Sequence, residues 1–282
     1  MVVYGVDSAK STQIIPVCES LEFESVVTFM KIFMLLVFLL PCLVADELRL
    51  VAYNIHHGEG MDGKLDLKRI AKVIAAEKPD LVALQEVDKV CKRSGSVDQA
   101  AELGKLLKME HRFGKFMDYQ GGEYGMAVLS RLPIEKTVIH RLPKSAEPRV
   151  ALEVVVGFPN WPGKVSFVSI HNDWIKEPLR VQQIEVLQEG LKDRKHPVIL
   201  AGDFNARPDS ASLKKLETKG WKMLREGRKN TWSASEPKVE IDFFFAKGLP
   251  PFRFQDKVIA ETVASDHRPI AVVISPAVGK NN

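Results

Sequence analysis

Six short clusters of acidic, amide and imidazole side chains recur along the chain, and each lies beside or within a short apolar run. The members of these clusters that could take part in chemistry are Asn54, Glu86, His171, Asp173, Asp203, Asn205, Asp242, Asp266 and His267. Oxygen ligands of this kind suit a hard cation such as Mg²⁺ or Mn²⁺, which takes one or two protein carboxylates and keeps several waters. Such a cation neutralises phosphate charge, while the other groups are of the types that orient a water, stabilise oxyanion charge and protonate an alkoxide. The clusters therefore suggest metal-assisted hydrolysis at phosphorus.

The apolar runs predict the strands that position the clusters. They are rich in Val, Ile, Leu and Phe and span residues 48–53, 81–84, 165–170, 198–201, 241–245 and 258–264. Short runs of this composition are typical of strands buried on at least one face. Because functional groups at strand ends can gather at one rim of a sheet, we expect the six clusters to meet there.

Helix signals lie between the runs, as apolar stripes at helical spacing. The stripes are residues 67–74 between Asp66 and Pro79, residues 184–191, and residues 213–216 behind Pro208 and Asp209. Glycines at positions 121, 122 and 125 predict a loop before a strand at residues 126–130. Strands that alternate irregularly with helices predict an α/β domain with a mixed sheet.

The composition excludes several classes of protein. Of the 282 residues, 45% are apolar and 27% are charged, which excludes a disordered, collagen-like or multi-span membrane chain. The formal net charge of +4 permits an anionic partner but is far below that of a dedicated nucleic-acid binder. Three cysteines cannot support a disulfide scaffold. No repeat or linker follows residue 46, so one domain is expected over residues 46–282.

The first 45 residues differ from the rest. Lys31 precedes the apolar stretch of MKIFMLLVFLL (residues 30–40), and a short segment ending at Ala45 follows before the polar Asp46. This order is typical of a secretory signal, and the stretch is too short to cross a bilayer comfortably. We expect residues 1–29 to be a non-native extension, residues 30–45 to be a signal peptide, and the mature protein to be periplasmic or secreted. Membrane anchoring through residues 30–45 and a buried helix are the alternatives.

Six strings carry a family resemblance. They are YNIHHGEG (residues 53–60), LVALQEVD (81–88), SIHND (169–173), LAGDFNARP (200–208), EIDFFF (240–245) and ASDHRPI (264–270). In this order they closely resemble the motifs of the endonuclease/exonuclease/phosphatase superfamily. The resemblance runs from about residue 48 to residue 274.

The resemblance implies a four-layer α/β (α+β) sandwich, in which two packed mixed β-sheets are flanked by helices and the active site lies at one edge. It also implies metal-dependent hydrolysis of a phosphate ester. Position by position, Glu86 is similar to the principal metal ligand, with Asn54 beside it and Asp266 completing the site. Asp203 and Asn205 are similar to the pair that positions or activates the water.

The resemblance also assigns the groups that face the phosphate. His267 resembles the histidine that contacts the scissile phosphate, and Asp242 resembles the carboxylate that orients it. His171 matches the second phosphate-facing histidine, and Asp173 and Arg149 match an acidic and an arginine position of the substrate site. A histidine held by a carboxylate stays more basic, so His267 could remain cationic. The alternative makes His267 the base and assigns Asp203 to the leaving group.

Other polar and aromatic residues have simpler interpretations. We expect Asp66 and Asp209 to be helix caps, Asp88 to be a surface or turn residue, Cys91 to be non-catalytic and His56 to be a neighbour of the site. For three aromatic residues, packing in the core or at the rim is preferred and stacking on a substrate is the alternative, namely Tyr119, Trp174 and Trp232. Zinc is disfavoured because no zinc-type ligand spacing is present. Two positions depart from the family pattern, Asn172 where many relatives are apolar and Met126 where many carry Asn.

The sequence thus favours an exported, Mg²⁺-dependent phosphodiesterase, with nucleic acid slightly preferred as its substrate. The alternatives are a phospholipid or sphingomyelin-type phosphodiesterase, a phosphatase for small phosphate esters and, from another class, a catalytically silent binding module. The silent module would lack Glu86, Asp203 or His267, and all three are present. No obligate protein partner is evident, and a monomer is expected.

Overall fold

Twelve strands, four α-helices and two short 3-10 helices (His56–Gly58 and Lys92–Ser94) are present in residues 47–144, 146–159 and 161–277, which the computed structural model describes. The expected extension (1–29) and signal peptide (30–45) lie outside these residues. Within the described ranges, no helix has both the length and the apolar character needed to cross a membrane.

The strands form two mixed sheets. They are β1 (Leu48–Asn54), β2 (Leu81–Lys89), β3 (Glu110–Tyr119), β4 (Gly122–Ser130), β5 (Ile134–Leu142), β6 (Arg149–Gly157), β7 (Lys164–His171), β8 (Val198–Asp203), β9 (Lys222–Met223), β10 (Asp242–Lys247), β11 (Phe252–Val258) and β12 (Ile270–Pro276). The first sheet has the order β11-β12-β1-β2-β4-β3, and the second has the order β5-β6-β7-β8-β10-β9. The helices are α1 (Leu67–Ala76), α2 (Gln99–Leu107), α3 (Glu177–Leu191) and α4 (Ala211–Glu217).

Strand direction brings the predicted clusters to one edge of both sheets. β1 and β2 are parallel, as are β7 and β8, so the strands of each pair end together. Asn54 at the end of β1 contacts Asp203 at the end of β8, so all four strands end at the same edge. β12 runs antiparallel to β1, and β10 runs antiparallel to β8, so both begin there. The register places Asp203 opposite both Asp242 and His171. We call this edge the catalytic rim.

Three apolar clusters hold the layers together. Residues of both sheets, including Leu50, Leu152 and Phe167, are fully buried between the sheets. The outer face of the first sheet packs against α1 and α2 through residues such as Ile70 and Leu103, and the second sheet packs against α3 and α4. The predicted four-layer sandwich of two mixed sheets flanked by helices is therefore confirmed.

A buried ion network lies on the second sheet, away from the rim. The Glu153 carboxylate is fully buried and accepts hydrogen bonds from Arg194 at 2.7 and 2.6 Å, from His140 at 2.7 Å and from Ser166 at 2.5 Å. Burial opposes ionisation, but the hydrogen bonds from Arg194, His140 and Ser166 hold the Glu153 pKa well below its ordinary value. The network joins β5, β6 and β7 to the segment after α3.

The helix boundaries follow local capping chemistry. α1 begins where predicted, because the Asp66 carboxylate accepts a hydrogen bond from the Arg69 amide at 2.9 Å. Asp209 was predicted to cap the helix that follows it in the chain, and this prediction is wrong. The cap of α4 is Ser210, whose hydroxyl accepts from the Leu213 amide at 3.3 Å.

Two strand predictions also differ from the structure. The apolar run 258–264 is not one strand, because β11 ends at Val258 and Glu261 then accepts hydrogen bonds from the amides of Val263 and Ala264. The glycine-rich segment is not a loop up to residue 125, because β4 already begins at Gly122. A Cβ at Gly125 would lie 2.1 Å from the carbonyl oxygen of Gly114, so close strand packing requires this glycine.

Candidate active site

Asn54, the last residue of β1, lies at the centre of the catalytic rim. Its Nδ2 is 3.0 Å from Glu86 Oε1, 3.2 Å from Asp203 Oδ2 and 3.4 Å from His267 Nε2. Its Oδ1 accepts a hydrogen bond from the His56 amide at 3.1 Å, which orients the side-chain amide. One buried amide thus contacts residues from three clusters that are separated by up to 181 positions in the sequence.

A β-bulge presents Glu86 to the rim. The pairing of β2 with β4 shifts register between Gln85 and Val87, and Glu86 between them has a φ of +55°. A bulge of this kind turns one side chain out of the regular alternation of the strand. Glu86 is consequently partly exposed, although its neighbours on both sides in β2 are fully buried.

A tight turn after β8 places Asp203 and Asn205 side by side. Asp203 Oδ1 accepts from the Asn205 amide at 2.8 Å, and Asn205 Nδ2 donates to the Asn172 carbonyl oxygen at 3.1 Å. Gly202 precedes the turn, and a Cβ there would lie 2.3 Å from the Ile170 carbonyl oxygen. Burial and the nearby charge of Asp242 raise the pKa of Asp203 to about 7.

His267 is held by Asp242. Its Nδ1 lies 3.0 Å from Asp242 Oδ2, and its Nε2 lies 3.7 Å from Asp203 Oδ2. Burial disfavours the imidazolium, but the charge and hydrogen bond of Asp242, with the further charges of Asp203 and Asp266, outweigh it and raise the pKa of His267 to about 10. At neutral pH His267 is a buried cation whose Nε2 faces the other rim groups.

His171, the last residue of β7, is the second histidine that faces Asp203. Its Nε2 lies 3.5 Å from Asp203 Oδ2, and its Nδ1 lies 3.5 Å from an amino group of Arg149. Burial, followed by the positive charges of Arg149 and His267, lowers the pKa of His171 well below its ordinary value. His171 is therefore neutral, and the contact geometry makes Nδ1 the acceptor and Nε2 the donor. The Arg149 guanidinium is also buried, paired with Glu147 at 2.9 Å.

Asp266 and Asp173 occupy different positions relative to the rim. Asp266 lies on it, with Oδ2 accepting from the Trp232 indole nitrogen at 3.3 Å. Asp173 is buried at the start of the segment that leads into α3, where Oδ1 accepts from the amides of Ile175 and Lys176 at 3.0 and 2.7 Å. Asp173 does not line the cleft described below, and its role in substrate binding stays a prediction.

Comparisons with known proteins agree with this geometry. Residues 51–267 match the sequence model of the Endonuclease/Exonuclease/phosphatase family. The chain belongs to this family. The enzymes of the family are metal-dependent phosphoester hydrolases, and the protein is therefore an enzyme of that class, not a silent binding module.

Solved structures of similar fold come from bacteria and from animals. An endonuclease/exonuclease/phosphatase from Beutenbergia cavernae DSM 12333 is 26% identical and has a TM-score of 0.70, with 82% of this chain and 72% of that chain covered. A mannosyl-6-phosphatase from Bacteroides thetaiotaomicron VPI-5482 is 18% identical (TM-score 0.66; 80% and 99% covered). Humanized D. rerio TDP2 is 20% identical (TM-score 0.64; 81% and 99% covered). No curated protein sequence matches the chain.

The donor set at the rim fits the divalent cation on which this endonuclease/exonuclease/phosphatase enzyme depends. Glu86 and Asp266 supply carboxylate oxygens on the cleft wall. The Asn54 amide contacts Glu86 through Nδ2, so its oxygen would reach a cation beside Glu86 only after the amide group turns over. These are hard oxygen donors of the type that Mg²⁺ and Mn²⁺ prefer. Glu86, Asn54 and Asp266 would hold the ion, which would supply charge neutralisation and polarisation at the phosphate.

The rim groups open into a cleft of about 890 Å³. Besides Glu86, Asp203 and His267, its wall includes four arginines and four aromatic residues, namely Arg93, Arg149, Arg180, Arg207, Tyr119, Tyr124, Trp174 and Trp232. Trp174 is 62% exposed and Trp232 is 44% exposed. Both tryptophans are therefore wall residues of the cleft and not core residues, a position that fits packing at the rim as well as stacking on a substrate.

One polar cluster on the cleft wall was not predicted from the sequence. Asp88, expected at the surface, is fully buried and accepts two hydrogen bonds of 2.8 Å from Arg93. The Arg93 guanidinium in turn lies 4.6 Å from the Tyr119 ring centre and 5.0 Å from the Tyr124 ring centre. The basic run that contains Arg93 offered no signal of this, because the aromatic partners follow more than 25 residues later.

The expectation of an inert Cys91 agrees with its surroundings. The side chain is fully buried, and its thiol lies 3.3 Å from the Glu123 carbonyl oxygen. Burial raises the pKa of Cys91 to about 11, so the thiolate is scarce at neutral pH. No cysteine nucleophile faces the cleft among its described wall residues.

Proposed function

We propose that the protein is an exported phosphodiesterase that uses Mg²⁺ or Mn²⁺ and an attacking water, with nucleic acid as its preferred substrate class. The observation that carries the substrate class is the position of Trp174 and Trp232. Both indole rings are exposed on the wall of the same cleft that contains Asp203 and His267. Export rests on the apolar stretch at residues 30–40 behind a single lysine.

The protonation states of the rim residues support a division of labour in hydrolysis. With its pKa raised to about 7, Asp203 can accept a proton from a water at neutral pH. Asn205, held by Asp203, is placed to orient that water. His267, cationic and fixed by Asp242, stabilises the negative charge that grows on the phosphate oxygens. As the bond from phosphorus to the leaving oxygen breaks, the leaving alkoxide takes a proton from His267 Nε2 or from solvent water. Neutral His171, with Arg149 behind it, offers a further hydrogen bond to the phosphate.

The cleft wall supports a polynucleotide substrate. A base stacked on an aromatic side chain contributes roughly 1–3 kcal/mol, and every base has a π-face to offer. The four arginines of the wall add positive charge for the phosphates of such a chain. Three of them are partly neutralised by ion pairs, Arg93 with Asp88, Arg149 with Glu147 and Arg180 with Glu177. A phosphodiester with bases on both sides of the scissile bond could use both tryptophans.

A second candidate substrate is a phospholipid at a membrane surface, and one observation favours it. Eight of the eleven exposed large apolar side chains in the described part of the chain lie in loops that adjoin the catalytic rim, namely Met61, Leu65, Val90, Val97, Trp174, Ile175, Trp232 and Val263. Clustered apolar exposure of this kind marks an interaction surface. The same loops also contain acidic residues, among them Asp62, Glu236 and Glu261, which would weaken attraction to an anionic lipid surface.

An activity panel on the purified full chain tests the proposal. Substrates are a single-stranded oligonucleotide, sphingomyelin vesicles, bis-p-nitrophenyl phosphate and p-nitrophenyl phosphate, each with Mg²⁺ and with EDTA. We expect cleavage of the oligonucleotide and of the diester, and loss of both activities in EDTA. Faster turnover of sphingomyelin than of the oligonucleotide would favour the second candidate. Hydrolysis of the monoester alone would contradict the phosphodiesterase proposal.

A further inference from the structure

The loop after β1 brings two histidines against Glu86. A ring nitrogen of His56, a ring nitrogen of His57 and a carboxylate oxygen of Glu86 all lie within 4.8 Å of one another. The two imidazole rings stand edge to face, with their centres 4.4 Å apart. Neither histidine lines the cleft, so this group approaches Glu86 from outside the substrate space.

One of these imidazoles is buried and lacks a full set of partners. His57 is 8% exposed, and its Nδ1 is enclosed without a hydrogen-bond partner in the described residues. Leaving a buried polar atom unsatisfied costs roughly 1–3 kcal/mol. Its other ring nitrogen, Nε2, lies 3.4 Å from the Glu59 carboxylate. A buried imidazole nitrogen without a partner requires an explanation, and a bound cation would supply the missing partner.

The backbone around the pair is fixed in place. Gln99 Nε2 donates to the His57 carbonyl oxygen at 2.6 Å, and the His56 amide donates to Asn54 Oδ1 at 3.1 Å. The His56 Nδ1 lies 3.3 Å from the Glu59 carbonyl oxygen. Contacts that orient ring and backbone in this way reduce the rearrangement needed for a cation to bind.

We propose that His56, His57 and Glu86 hold a transition-metal cation such as Co²⁺ or Zn²⁺ at a position distinct from the oxygen-donor site of Asn54 and Asp266. The sequence spacing gave no sign of this group, because Glu86 is brought to the two histidines by the fold. Imidazole nitrogen binds ions of this class better than it binds Mg²⁺. Metal–nitrogen distances near 2.0–2.1 Å require the three donors to close in by no more than about an ångström each. Glu86 Oε1 is already engaged by Asn54, so Glu86 would present its second carboxylate oxygen to this cation.

The two sites would therefore share Glu86 and differ in the metal they prefer. The catalytic cation would be selected by oxygen donors and the second cation by imidazoles, so the protein would bind two metals from a mixture. The inference goes beyond the proposed substrate, and its test measures metal binding and not hydrolysis. A failure of the phosphodiesterase proposal would leave it standing.

Cobalt binding provides the test. The full chain is titrated with Co²⁺ in a saturating excess of Mg²⁺, and binding is followed by visible absorption and by calorimetry. We expect the wild type to bind Co²⁺. His56→Gln and His57→Gln should each weaken the Co²⁺ affinity at least ~10-fold, because loss of a residue that merely hydrogen-bonds to a metal ligand already weakens metal affinity by about that factor. His111→Gln is the matched control, because His111 lies at the opposite end of β3 from the rim.

The design separates lost binding from lost folding. Circular dichroism and thermal unfolding without metal are recorded for each variant, and His56, which is more exposed than His57, carries the test if His57→Gln does not fold. The proposal is overturned if the wild type binds no Co²⁺ under these conditions. It is equally overturned if folded His56→Gln binds Co²⁺ as tightly as the wild type does.

Discussion

Replacing Asp242 by Asn removes one negative charge from the buried centre of the catalytic rim and leaves side-chain volume almost unchanged. The Asp242 carboxylate is 3% exposed and lies 3.0 Å from His267 Nδ1. Two unit charges at this separation interact by about 5 kcal/mol at an effective dielectric constant of about 20. The neutral amide forfeits this attraction, so we expect the pKa of His267 to fall from about 10 towards or below its ordinary value.

The same substitution acts on Asp203 in a second way. The charge of Asp242 raises the pKa of Asp203, so its removal lowers that pKa from about 7. Hydrolysis in our proposal needs Asp203 ionised and His267 protonated, which gives the wild type an optimum between these two values. Asp242→Asn should therefore move both the acid limb and the alkaline limb of the rate profile to lower pH. We expect kcat to fall by ~10²- to 10⁴-fold, or about 3–5 kcal/mol.

The assay is release of p-nitrophenolate from bis-p-nitrophenyl phosphate with saturating Mg²⁺, sampled across the pH range and corrected for product ionisation. Asp80→Asn is the matched control, since Asp80 is also a buried carboxylate, 4% exposed, but lies before β2 and is paired with Arg131. It should lower stability without moving either limb. An Asp242→Asn enzyme whose limbs coincide with those of the wild type would refute the assigned roles of Asp203 and His267.

Three further predictions address metal, substrate and stability. Glu86→Gln should raise the Mg²⁺ concentration needed for half-maximal rate at least ~10-fold, because a charged ligand becomes neutral; an unchanged requirement would remove Glu86 from the metal site. Trp174→Ala should raise KM for an oligonucleotide by roughly 5- to 100-fold, because one stacked base loses its aromatic partner, and should change KM for bis-p-nitrophenyl phosphate little. The control Ile139→Ala removes an exposed apolar side chain away from the rim and should change KM for neither substrate. Glu153→Gln should lower the free energy of unfolding by about 3 kcal/mol, measured by urea titration, because Arg194 is left without its carboxylate. The folded-state pKa of Glu153 lies well below its ordinary value of 4.5, so the carboxylate contributes fully to stability above that pH and loses this contribution on acidification. Below about pH 4.5 the wild type should therefore lose stability more steeply than the variant does.

The parts of the fold that sequence predicted best are those in which local pattern and tertiary environment agree. All six residues of β8 are buried, because both faces of the strand are covered. Its sequence is consequently a short apolar run, which predicts a buried strand. α1 combines an N-cap with a regular apolar stripe, so its start at Asp66 could be placed to the residue. The convergence of Glu86, Asp203 and His267 followed from strand ends meeting at one edge.

The parts that sequence did not predict depend on contacts between distant segments. β11 alternates half-buried and exposed residues at a sheet edge, so its pattern resembles that of a polar loop. The burial of Asp88 depends on Arg93, and that arginine is held by two tyrosines from another hairpin. The exposure of Trp174 and Trp232 reflects the shape of the cleft, which no local pattern encodes.

The bulge at Glu86 carries a consequence for how this enzyme could change under selection. Glu86, Asn205, His56 and His57 are four of the nine non-glycine residues in the described chain with a left-handed backbone, a conformation that costs an L-residue roughly 1–2 kcal/mol. Glycine at position 86 would relieve that cost and remove the carboxylate. Selection for stability therefore favours glycine at position 86, whereas selection for turnover favours glutamate. We expect relatives that no longer hydrolyse a substrate to lose Glu86 early.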